Sequence, residues 1–129
     1  MKRIIAFLIV AIGFSQTADE IARHKEWMDR AQELKDDLKD ALDSKAGKKA
    51  VQYADELAKT GAQEEAYWKR AKQEDTVKLA KENLDAAKQI SVAAKDGDIG
   101  QALQAYSKLE ATCRGCHDLH PEKRRTQRQ

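Results

Sequence analysis

The chain has 129 residues, 36% of them charged and 5% aromatic, with six Gly, one Pro, two Cys and a formal net charge of +2. That length suits one small domain and excludes two independent cores. Where a sheet would want β-branched and aromatic residues the chain offers Ala, Leu, Lys, Glu, Gln and Asp, which excludes a large β core and points to helices.

Lys2 and Arg3 precede an apolar run from Ile4 to Ile12, extended by Gly13 and Phe14, and polar sequence begins at Ser15. Residues 1–15 therefore read as a secretory signal, cut before Gln16 or, alternatively, near Ala18. As a helix the run rises only about 16 Å, roughly half the bilayer core, which is short for a retained anchor. No Cys follows it to carry a lipid. The expectation is export to an oxidising compartment, the periplasm, with no membrane association once the signal is removed. Loss of Lys2 and Arg3 takes the net charge from +2 to neutral, which gives no ground for a nucleic-acid partner.

Residues 16–122 form the expected domain. From Ala18 to Ser44, helical spacing puts Ile21, His24, Met28, Ala31, Leu34, Leu38, Ala41 and Leu42 on one face. Gly47 marks a break. A second helix is predicted from Lys48 to Thr60, with Val51, Ala54, Leu57 and Ala58 inward and Gly61 placed to end it. A third runs from Glu65 to Lys95 and carries Trp68, Ala71, Val77, Ala80, Leu84, Ala87, Ile90 and Ala94. The triplet Asp96, Gly97, Asp98 is a turn. The last helix runs from Asp98 to Leu119 with Ala102, Leu103, Tyr106, Leu109, Cys113 and Cys116 inward, and His120 before Pro121 is its natural end. These elements predict an all-α protein, an antiparallel four-helix bundle. Residues 123–129, with Lys123, Arg124, Arg125 and Arg128, form a basic tail expected to be solvated, with docking to an acidic partner as the functional alternative. The charged stretch Lys35 to Lys39 reads as solvated helix surface. So few bulky apolar residues call for a staple, a metal or a cofactor in the interior.

Both cysteines fall in Cys113, Arg114, Gly115, Cys116, His117. With two Cys and three His in the chain, chance gives this arrangement on the order of once in 3000 sequences, so the motif is specific. On a helix, positions i, i+3 and i+4 share a face. Two thiols so placed can add to the two vinyl groups of one haem, with His117 falling under the iron as proximal ligand and Gly115 leaving room for the porphyrin. A Cys113–Cys116 disulfide would close almost no loop and stabilise little. A thioredoxin-like redox pair needs a βαβ setting that is absent. Zinc could draw on Cys113, Cys116, His117 and His120, yet one continuous helix cannot easily wrap four ligands around a tetrahedral ion. His120 otherwise reads as exposed.

A secretory leader, four helices and Cys-x-x-Cys-His near the C-terminus resemble the class II cytochromes c, comprising cytochrome c′ and its low-spin relatives. The likeness covers the mature chain, is best from Leu109 to Lys123, and extends to Tyr67, Trp68, Lys69, Arg70 and Ala71. It implies one covalently attached haem c, with Cys113 and Cys116 as thioether residues and His117 as fifth ligand. Low-spin members present a Met from helix 1, about a dozen residues into the mature chain; Met28 stands there, with His24 as the alternative ligand. Cytochrome c′ proper presents a non-ligating apolar residue instead, for which Trp27, four residues after Arg23, would be the match. Arg23 resembles the family Arg that contacts a haem propionate. The resemblance therefore implies a non-enzymatic electron carrier acting between redox partner proteins, as a monomer or homodimer, or alternatively a five-coordinate haem protein that binds NO or CO.

Overall fold

A computed structural model describes residues 17–123. The signal assigned to residues 1–15 and the tail arginines Arg124, Arg125 and Arg128 lie outside these described residues. Four helices make up the fold: α1 (Ala18–Asp43), α2 (Gly47–Arg70), α3 (Glu74–Lys95) and α4 (Ile99–Leu119), followed by a single 3-10 turn, Pro121–Lys123. There is no strand among the described residues, and no described helix is long and apolar enough to cross a membrane.

Local chemistry sets the helix ends. Thr17 caps α1 by accepting from the Glu20 amide, and Asp98 caps α4 by accepting from the Gln101 amide, each satisfying an otherwise orphan donor. Acidic residues fill the first turns of α1 (Asp19, Glu20) and α3 (Glu74, Asp75), where they oppose the positive end of the helix dipole. Three helices close alike, with one residue in the left-handed region followed by an amide that reaches back five positions: Ala46 to Ala41, Gln73 to Trp68 and Asp98 to Ala93. The left-handed residues are Lys45 (φ 56), Lys72 (φ 56) and Gly97 (φ 74).

Two predicted boundaries need correction. The second helix does not stop at Thr60 but continues through Gly61 to Arg70, and the third begins at Glu74 rather than Glu65. Trp68 thus belongs to α2, and Ala71 caps it. Gly61 is a packing residue: a Cβ there would stand 3.1 Å from Leu84 Cα and 3.2 Å from its Cβ, so the missing side chain lets α2 lie close against α3.

The bundle is antiparallel and layered. At the α1–α2 and α3–α4 turns, Leu34, Leu38, Ala41, Leu42, Ala50, Ala54, Ala87, Ile90, Ala94, Ala102 and Leu109 form a core in which alanines allow close helix approach. Each large aliphatic side chain buried there contributes about 1.5–3 kcal/mol. The opposite end is closed by His24, Trp27, Tyr67, Trp68 and His120. His24 stacks on Tyr67 with centroids 4.2 Å apart, and Trp68 stacks on His120 at 4.1 Å. Ile21, expected inward, is 46% exposed. Most packing runs α1 on α2, α2 on α3 and α3 on α4, whereas α1 and α4 barely meet. Across that seam the Tyr106 hydroxyl donates to the Lys35 carbonyl at 3.1 Å.

Candidate functional site

Between the Ala/Leu core and the aromatic end lies a cavity of about 140 Å³. From α1 come Met28, Ala31, Gln32 and Lys35; from α4 come Leu109, Thr112, Cys113, Cys116 and His117. Leu57, Thr60 and Glu64 of α2, Ala80 and Asn83 of α3, and Lys123 complete the wall. Met28 on one helix and Cys113, Cys116 and His117 on another, 85 or more positions away in sequence, are thus brought to one apolar space.

Cys113 and Cys116 are free thiols, both half-buried. Burial pushes the Cys113 thiol above its usual range, opposed by nearby Lys35. Burial pushes Cys116 further, to about 12, with Cys113, Glu64 and Glu82 adding to the rise. Both side chains are accordingly neutral thiols near pH 7, not the thiolates of a redox-active pair. Asn83 fixes the start of the motif by donating to Thr112 Oγ1 at 2.8 Å and to Cys113 Sγ at 3.6 Å. Gly115 faces Leu79, whose terminal carbons would lie 3.2 Å from an added Cβ. Its smallness serves contact between α4 and α3, where the sequence suggested room for a porphyrin.

The other predicted residues separate. His24 does not line the cavity: it is 2% exposed, its Nε2 donates to Glu64 Oε2 at 2.8 Å, and its ring lies in the aromatic end. Trp27 stands at the edge of that cluster, its ring centroid 6.4 Å from those of both His24 and Tyr67, and it too is off the cavity wall. Arg23 is exposed and not among the lining residues; the lining cations are Lys35 and Lys123. Lys35, expected to be solvated, is half-buried, and Lys123 folds back to place Nζ 5.8 Å from the Tyr67 ring centroid. His120 is likewise not exposed. Its Nε2 is 2.7 Å from Thr76 Oγ1 and its Nδ1 is 3.2 Å from Glu122 Oε1, so both nitrogens already have partners. Among the described residues no group of three or more His, Cys, Asp and Glu is set to hold a metal ion.

Glu64, Asn83 and Thr60 were not singled out in the sequence. Glu64 and Thr60 fall on the stripe that continues Leu57 towards Trp68, a signal visible only once α2 is known to run past Gly61. The cavity is lined mainly by apolar groups, with two thiols, a His and a Met converging on it, a donor set that fits a covalently attached haem. It holds only part of a porphyrin, and the seam between α1 and α4 is where the bundle has least packing to lose by widening. Comparison with models of protein families, with curated proteins and with solved structures finds no match.

Proposed function

We propose that this chain is an exported monohaem c-type cytochrome that carries single electrons between redox partner proteins. One observation carries the reading: Met28 lines the same cavity as Cys113, Cys116 and His117. When bound, haem supplies a one-electron ferric/ferrous couple. Cys113 and Cys116 would each form a thioether, anchoring the group at two points on α4. His117 offers a nitrogen ligand and Met28 a thioether sulfur, a pair that raises the potential and suits rapid electron exchange. Leu57, Ala80, Ala31 and Leu109 exclude water from the wall. Lys35 and Lys123, in place of the expected Arg23, are the cations that would meet propionate carboxylates.

The test is the full chain purified from a host that exports and matures c-type cytochromes. The denatured protein should retain haem and show no free thiol, and the native reduced protein should have a low-spin spectrum that CO leaves unchanged. Met28→Ala should convert it to a high-spin, CO-binding form. A wild-type protein that binds CO at once would support the NO- or CO-binding alternative, and a haem-free chain would defeat both.

A further inference from the structure

We propose that Glu64 sets the reduction potential of the site, holding it low through a negative charge fixed in the cavity wall; this rests on the haem reading above. The carboxylate is locked. Its Oε2 accepts from His24 Nε2 at 2.8 Å and from Trp68 Nε1 at 3.0 Å. Both donors are buried, so the group cannot swing out to solvent without leaving two polar hydrogens unpaired. Its Oε1 is buried with no hydrogen-bond partner, the single such side-chain atom among the described residues.

A buried acceptor without a partner weakens a fold, and it persists where the group has another role. Glu64 belongs to the same wall as Met28, Cys116 and His117. The oxidised centre carries one more positive charge than the reduced centre, and one electron from a redox partner protein removes that difference. A carboxylate in an apolar wall therefore favours the oxidised form, with little screening by water. The cations Lys35 and Lys123 on the same wall act in the opposite sense. Glu64 thus counters the rise that Met/His ligation brings, acting through the field and not as an iron ligand.

The test is redox titration of the mature holoprotein, wild type against Glu64→Gln, which keeps the shape and an oxygen for both donors but removes the charge. The expected result is an upward shift in midpoint of at least a factor of ten in the oxidised-to-reduced ratio, 59 mV for a one-electron couple, with the low-spin spectrum kept. Glu64→Asp should return the midpoint towards wild type. If Glu64→Gln does not accumulate, Glu64→Asn, which also carries an amide oxygen and no charge, should give the same upward shift. An unmoved midpoint in a haem-loaded, low-spin variant overturns the inference and leaves the haem reading standing. A variant that turns high-spin also overturns it, because Glu64 would then be positioning the distal ligand. Absence of haem from the wild type overturns the reading beneath it.

Discussion

Tyr106 shows how one side chain can tie the seam that the helices leave loose. Its ring is buried and its hydroxyl donates to the Lys35 carbonyl, joining α4 to α1. Burial, reinforced by Glu110 and Asp36, raises its ionisation from the usual 10 to about 12. An acid whose folded-state value is raised stabilises the fold fully below the unfolded value and loses that contribution as pH climbs to the folded one. Stability should therefore fall between about pH 10 and 12 in part because unfolded Tyr106 ionises first. The lysines also titrate there, so the contribution is isolated by difference: denaturation midpoints of wild type and Tyr106→Phe should converge across this window. Parallel curves would show that the hydroxyl is not held as described. At this scale the sequence was most informative where chemistry is rare. Cys113, Cys116, His117 and Met28 stood out by type and spacing and share one cavity, whereas Glu64 and Asn83 look like any polar residue on a charged helix. His24 and Met28 lie one turn apart on the same predicted face, and only the packing of Tyr67 and Trp68 separates their roles.

Among the elements, α1 and α4 were legible because their caps and apolar stripes agree, and the break between α2 and α3 was not. Glycine is the residue usually found where a helix ends, so Gly61 attracted the boundary. In the fold a Lys takes the left-handed position instead, at Lys72, while Gly61 is spent on a close helix contact. The two residues should respond oppositely to substitution. Gly61→Val places a branched side chain against the Leu84 backbone and should cost about 1–3 kcal/mol of stability, the usual range for overpacking. Lys72→Gly relieves a non-glycine residue of a left-handed conformation and should raise stability by about 0.5–1 kcal/mol, after allowing for the greater freedom of glycine in the unfolded chain. Denaturant unfolding with an unchanged slope measures both. A neutral Gly61→Val would mean that α2 and α3 are not as close as 3.1 Å from Cβ to backbone implies.

Across the whole molecule, the densest core and the candidate site divide along the bundle axis. The end nearest the α1–α2 and α3–α4 turns holds the fully buried leucines and alanines. The other half holds the cavity, the thiols and an aromatic cluster joined by hydrogen bonds between helices. Within α1 this contrast is sharp: Leu34, Leu38, Ala41 and Leu42 are buried, while before Ala31 only His24 is. The shortage of large aliphatic residues is thus met in two ways: at the turn end alanines let the helices close on one another, and at the other end rings fill the space around the cavity. If Met28 is bonded to the proposed haem, the N-terminal half of α1 is tied to α4 through it, because direct contact between the two helices is slight. Hydrogen exchange of the loaded protein should register the tie. In Met28→Ala, amides from His24 to Gln32 should exchange about tenfold faster than in wild type, equivalent to about 1.4 kcal/mol in local opening. Those from Leu34 to Leu42 should keep their rates, since their protection comes from the alanine-rich core and α2. Uniform acceleration along α1 would mean that the helix opens as one unit. Equal rates in the two proteins would mean that Met28 bears no bond holding α1 to the rest of the bundle.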